Sequence, residues 1–207
     1  MKAARLSLAT WLTGIVAGCA SAPIHYYTLA PAYAGTAVAA PLSLAVEVRV
    51  VHAPPQLKHS GLMVRKGPAE FTLLENERWA SPVSGEITDA LRLELQRRLA
   101  GTPGLGSGYD KLVVQLDVRQ LQAEFANRAW LDASFSATLT AAHAPPAESR
   151  KVACSFRAEQ NIEAGYAQIV AGYQRDIAML ADAIAAAVAE VAKGADAACQ
   201  PSSPQRG

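Results

Sequence analysis

The sequence predicts an α+β fold in which an antiparallel β-sheet carries two main helices packed on one face. Three observations predict it. Several segments alternate apolar and polar residues with the period of a half-buried strand. Two longer segments repeat apolar residues at the three-to-four spacing of an amphipathic helix. The segments run strand, hairpin, helix, three strands, helix, and short links between consecutive strands favour antiparallel pairing. Helices segregated onto one face of such a sheet make an α+β sandwich.

The elements follow in chain order. In residues 42–51, LSLAVEVRVV, one face takes Leu42, Leu44, Val46, Val48 and Val50 and the other Ser43, Glu47 and Arg49. His52-Ala53-Pro54-Pro55-Gln56-Leu57 breaks this strand. GLMVRK (61–66) and AEFTLLE (69–75) read as a hairpin around Gly67-Pro68. Ser81 is expected to cap the first helix, with Pro82 at its first position. Val83, Ile87, Leu91, Leu95 and Leu99 form its apolar stripe with Ala90 beside them, and Glu86, Asp89, Arg92, Gln96 and Arg97 lie mostly on the other faces. The glycine-rich stretch 101–108 ends it.

Three strands follow. In 111–121 Leu112, Val114, Leu116 and Val118 alternate with polar residues. In 127–142 Ala129, Leu131, Ala133, Phe135, Ala137 and Leu139 oppose Trp130, Asp132, Ser134, Ser136, Thr138 and Thr140. In 150–160 Val152, Cys154 and Phe156 oppose Lys151, Ser155, Arg157 and Glu159. No proline interrupts residues 165–193, where Val170, Tyr173, Ile177, Leu180, Ile184, Ala187 and Val191 step by threes and fours. That stripe suits a coiled coil or a helix laid along a sheet. The scarcity of flanking charges favours the sheet, and the many alanines allow close approach.

Composition narrows the function classes. The chain has 207 residues and a net charge of +1, from 19 basic and 18 acidic side chains, and no basic stripe, so nucleic acid is not an expected partner. The length suits one domain with a real core.

The N-terminus carries the most specific signal. Lys2 and Arg5 precede an uncharged run, residues 6–18, that is short of the ~20 residues a spanning helix needs. A basic start, a short apolar middle and small residues before a cleavage point describe a secretory signal peptide. Val16-Ala17-Gly18-Cys19 resembles the bacterial lipobox, in which signal peptidase II cuts before a cysteine whose thiol, and then amino group, are acylated. The plainer reading is an ordinary signal peptide with an incidental cysteine. Ala20 follows Cys19 where enteric-type retention in the inner membrane uses Asp, which by that resemblance implies the periplasmic face of the outer membrane. The expected organisation is a signal peptide over 1–18, a lipidated tether over 19–41, an α+β domain over 42–193 and a disordered tail over 194–207.

With Cys19 acylated, Cys154 and Cys199 remain as an even pair in an oxidising compartment. Either they form a disulfide, which closes a loop of roughly 45 residues and contributes about 4 kcal/mol at the upper end, or Cys154 is buried and Cys199 is free in the tail.

Two stretches stand out as candidate contact surfaces. His25-Tyr26-Tyr27-Thr28-Leu29 is β-prone within an Ala/Pro/Gly-rich tether that has little to bury. Tyr26, Tyr27 and Leu29 are expected to pair as an edge strand, with the domain or with a neighbouring copy. In Glu77-Arg78-Trp79-Ala80-Ser81-Pro82, Trp79 is either a hydrophobic staple onto the helix or, with Arg78, an interface anchor.

Signals for catalysis are few. His25, His52, His59 and His143 sit in expected loops or tether with no metal-ligand spacing around them. There is no GxSxG, and GTPGLGSG (101–108) follows a helix and lacks a phosphate-loop lysine. Cys154 sits on an apolar strand face, which argues against a nucleophile, and Glu75, Glu77 and Asp89 read as ordinary surface acids. The expectation is no enzyme, no cofactor and no metal.

Taken together, these residues resemble the ABC-type transport auxiliary lipoproteins, the paraquat-inducible lipoprotein C family. Four features in order carry the resemblance: a lipobox cysteine followed by Tyr26-Tyr27-Thr28-Leu29; the strand 46–51 leading into His52-Ala53-Pro54-Pro55-Gln56-Leu57; Glu77-Arg78-Trp79-Ala80-Ser81-Pro82 opening a helix; and Phe156-Arg157 with Gly165-Tyr166 leading into Arg175-Asp176-Ile177-Ala178. The long tether and the Cys154/Cys199 pair depart from that pattern. The resemblance implies a non-enzymatic, likewise homo-oligomeric, outer-membrane docking component. Its implied partners are a periplasmic mammalian-cell-entry (MCE) domain protein and its ABC permease and ATPase, which move lipids between membranes and support envelope integrity. The alternative is an accessory lipoprotein of lipopolysaccharide or outer-membrane assembly that binds a β-barrel.

Overall fold

The structure is a computed structural model. It describes residues 22–31, 44–100, 105, 109–141, 149–194 and 199. The signal peptide, Cys19, the stretch 32–43, most of 101–108, His143 and most of its turn, and the tail except Gly194 and Cys199 lie outside the described residues.

Seven strands form one sheet: β1 (His25–Tyr27), β2 (Ala45–His52), β3 (Gly61–Arg65), β4 (Phe71–Trp79), β5 (Tyr109–Glu124), β6 (Arg128–Ala141) and β7 (Arg150–Asn161). A short 3₁₀ turn spans Pro55–Lys58, and the helices are α1 (Val83–Leu99) and α2 (Tyr166–Ala192). Strand order is β1-β4-β3-β5-β6-β7, with β2 paired to β5.

The α+β class stands, but the sheet is mixed, not antiparallel throughout. The hairpin β3–β4 and the meander β5–β6–β7 are antiparallel. β2 runs parallel to β5, with Val46 opposite Leu112 and Val50 opposite Leu116, and β1 runs parallel to β4. Parallel neighbours need a long crossover. The hairpin and α1 supply it between β2 and β5, a route that the short-link argument does not reach. β5 is long enough to share one edge, taking β2 along Lys111–Asp117 and β3 at Glu124.

Both helices lie on one face and touch each other; α1 covers β2 and α2 covers β6 and β7. The inward sets of the central strands match the alternation in the sequence. Leu112, Val114, Leu116 and Val118 of β5 and Ala129, Leu131, Ala133, Phe135, Ala137 and Leu139 of β6 are buried. α2 is therefore a helix laid along a sheet. Gly172 permits its closest approach, since a Cβ there would stand 2.8 Å from Ala129 Cβ and 2.9 Å from Ile162 Cγ2. Among the described residues no helix is long and apolar enough to cross a membrane.

Three local expectations change. β4 runs on through Glu77-Arg78-Trp79, because β3 and β1 both pair with that stretch. Ser81 makes no cap bond to the helix; its hydroxyl donates to Glu86 Oε1 at 2.8 Å, a buried carboxylate that competes for it. Of the edge strand expected of Tyr26, Tyr27 and Leu29, Tyr26 and Tyr27 do pair with the domain in β1, but Leu29 lies beyond the strand and enters the core.

Candidate functional site: the clamp on the N-terminal strand

The polar groups of the domain converge where β1 meets it. β1 pairs His25 with Glu77, Tyr26 with Arg78 and Tyr27 with Trp79. It is only three residues long, so ladder bonds alone hold it weakly. Two buried carboxylates and one helix side chain add to them.

Glu77, on β4, lies 9% exposed. Its Oε2 accepts the Tyr27 hydroxyl at 2.6 Å and its Oε1 lies 3.0 Å from His25 Nδ1. Burial pushes the Glu77 carboxyl up, but the bonds from Tyr27 and His25 outweigh that and leave it below its ordinary value. The Tyr27 hydroxyl is pushed up to about 12, by burial first and then by the Glu77 carboxylate it serves.

Glu86, on the first turn of α1, lies 7% exposed. Its Oε2 accepts Thr28 Oγ1 at 2.7 Å and the Leu29 amide at 2.9 Å, while Oε1 accepts Ser81 Oγ. Three donors satisfy a carboxylate that would otherwise be costly to bury. From α2, Gln174 Nε2 donates to the carbonyls of Thr28 at 3.1 Å and Ala30 at 3.3 Å. The Ala80 amide donates to Tyr27 O at 2.8 Å. The apolar part of the clamp is Leu29, 1% exposed within the core. Fully burying a leucine contributes roughly 1.5–3 kcal/mol. Residues 25–30 are thus held by β4, α1 and α2 together.

The five candidate contact residues divide. Leu29 and Trp79 are buried in the chain's own core, Tyr27 and Arg78 are half-buried, and Tyr26 is 64% exposed. The Trp79 ring meets Tyr173 of α2, with centroids 6.3 Å apart, so it joins the sheet to the long helix. Arg78 Nε donates to Glu75 O at 2.6 Å. Cys154 and Cys199 are joined as a disulfide with their Cα atoms 5.5 Å apart, which holds Cys199 against β7. Among the described residues no group of three or more His, Cys, Asp or Glu side chains is placed to hold a metal ion.

Glu77 and Glu86 were not legible as site residues, although a signal existed. Glu77 shares a strand face with Trp79, two residues on, and Glu86 borders the stripe of Val83, Ile87 and Ala90. Asp176 of α2 was missed in the same way: it lies 0% exposed inside the helix–sheet layer, and neither oxygen has a hydrogen-bond partner.

The family profile of the ABC-type transport auxiliary lipoprotein component matches residues 27–185, from Tyr27 in the clamp almost to the end of α2. The chain belongs to the ABC-type transport auxiliary lipoprotein family. Among solved structures, an uncharacterized protein is similar at 18% identity and TM-score 0.62, covering 81% of this chain and 99% of its own. A protein from Xanthomonas campestris assigned to the DUF330 family is similar at 14% identity and TM-score 0.52, covering 83% and 95%. At these identities the two structures show a shared fold and no more. No curated protein matches the chain.

Proposed function

We propose that this auxiliary lipoprotein is held at the periplasmic face of the outer membrane by acyl chains on Cys19. There it serves as the non-enzymatic docking component of an MCE-type ABC system that moves lipids between membranes. The clamp is the observation that carries the reading. Only six positions separate Cys19 from His25, and residues 25–30 are bonded into the domain. An anchor at Cys19 therefore leaves little slack, as a fixed docking piece requires. Three acyl chains, at roughly 0.8 kcal/mol per buried CH₂, make release negligible.

The outer edge of β1 and the exposed Tyr26 beside Arg78 supply the contact surface, for a neighbouring copy or for the MCE-domain protein. Main-chain strand addition gives affinity there without a deep pocket.

The test is cross-linking and co-purification from membranes. Capture of an MCE-domain protein with its permease and ATPase, weakened by Tyr26→Ser without a change in melting temperature, is the expected result. Capture of a β-barrel in its place overturns the reading in favour of an assembly accessory.

A further inference from the structure

Strand directions gather a defined set of turns at one end of the sheet. β3 arrives there with Arg65 opposite Phe71, and β5 arrives with Glu124 beside Arg65. β6 leaves from Arg128, β7 ends opposite it at Asn161, and α2 starts nearby at Tyr166. β1 is parallel to β4, so the chain upstream of His25 points back along β4 toward Phe71, and hence toward this same end.

The lengths agree. Cys19 precedes His25 by as many residues as Phe71 precedes Glu77, the partner of His25. At ~3.3 Å per residue either span reaches about 20 Å when extended. Six residues are thus long enough for an anchor at Cys19 to reach the end that carries the β3–β4 and β5–β6 turns. Reaching the opposite end would require the chain to reverse and run the length of the sheet.

That end displays an aromatic side chain on a fixed turn. Phe125 is 47% exposed, and the next residue, Ala126, holds φ 53, a left-handed conformation that is uncommon outside glycine. The turn is closed by the Asn127 amide to Glu124 O at 3.2 Å and by Asn127 Nδ2 to Glu124 Oε2 at 2.7 Å. It is braced by the Ile162 amide to Asn127 O at 2.9 Å. Tyr166 supports the Phe125 ring with centroids 5.4 Å apart. Charges of both signs surround it, with no surplus of positive charge: Arg128 is paired with Glu124 and Glu159, and Arg65 and exposed Lys66 are accompanied by exposed Glu70 and Glu163.

We propose that this end of the sheet is the face laid against the bilayer, with Phe125 entering the boundary between headgroups and acyl chains. With no surplus of positive charge to call for anionic lipid, a zwitterionic lipid surface suffices. The inference rests on the anchor at Cys19 proposed above, and its test separates the two.

The lipidated protein is reconstituted into phosphatidylcholine vesicles containing brominated acyl chains, as wild type, Phe125→Trp, Lys66→Trp and Asp110→Trp. Asp110 is exposed at the opposite end of β5, ~45 Å along the strand from Glu124. The added fluorescence of Phe125→Trp is expected to fall two-fold or more against unbrominated vesicles, Lys66→Trp to fall by less, and Asp110→Trp to be unchanged, with no dependence on salt. Failure of wild type to float with vesicles removes the anchor and this proposal with it. Flotation without quenching at position 125, or with equal quenching at 110, leaves the anchor standing and overturns the orientation.

Discussion

The main-chain amide of Leu29 donates to Oε2 of Glu86 at 2.9 Å, and both residues are buried. One carboxylate on the first turn of α1 thereby fixes the N-terminal strand of a domain that starts, in sequence, well after it.

Glu86→Gln keeps the shape of that carboxylate but removes its charge and turns one acceptor into a donor. Hydrogen bonds to charged groups contribute about 1.5–3 kcal/mol each, and here three donors share the group. The expected loss is ~2–3 kcal/mol in urea unfolding, with hydrogen-exchange protection lost first at the Leu29 amide. If that amide stays protected in the variant, Glu86 is not what holds the strand.

The bond from Tyr27 to Glu77 makes the same strand sensitive to acid. Glu77 sits below its ordinary value in the folded protein, so its contribution is present at pH above the unfolded carboxyl value and is lost as pH falls through the lower folded value. Tyr27→Phe removes one of the two bonds that lower it. Loosening of residues 25–29, followed by amide exchange, should then begin at higher pH than in wild type, while the meander β5–β6–β7 is unaffected. An identical onset in the two proteins would count against the role given to Tyr27.

Asp176 has the opposite sign. Burial pushes its carboxyl up to about 7; Gln160 and Arg175 oppose this, and Glu159 adds to it. The folded protein therefore holds a proton that the unfolded chain has released, and stability falls as pH rises from about 4 to 7 and then levels off. At 1.36 kcal/mol per pKa unit, Asp176→Asn should stabilise by up to ~4 kcal/mol at pH 8 and by almost nothing near pH 4. Denaturant midpoints across that range check it. A pH-independent difference would mean that the carboxyl finds a partner in solution.

The pairing of Cys154 with Cys199 can be tested directly. Under denaturing, non-reducing conditions neither thiol should take up an alkylating reagent, and both should after reduction. The bond spans a sequence separation of 45, so the chain-entropy model puts the cost of reduction at about 4 kcal/mol or less. Full labelling of both residues without reductant would refute the pairing.

The sequence by itself determined which faces of the strands and helices turn inward. Alternation in the stretches that became β5 and β6, and the stripe of α2, are local properties of side-chain spacing, and the buried sets match them except at Trp130, buried from the expected polar face of β6, and at Ala187, half-buried beside the buried Val188. The ordered run of short motifs also placed the chain in its family. Only the tertiary structure decided the parallel pairing of β2 with β5 and of β1 with β4, because the residues between them bring distant segments side by side and no local pattern records the direction of return. It alone decided the fate of Glu77, Glu86 and Asp176. A carboxylate reads as surface in any local window. Whether it is buried depends on donors from elsewhere in the chain, here Thr28 and Leu29 for Glu86, and on their absence for Asp176.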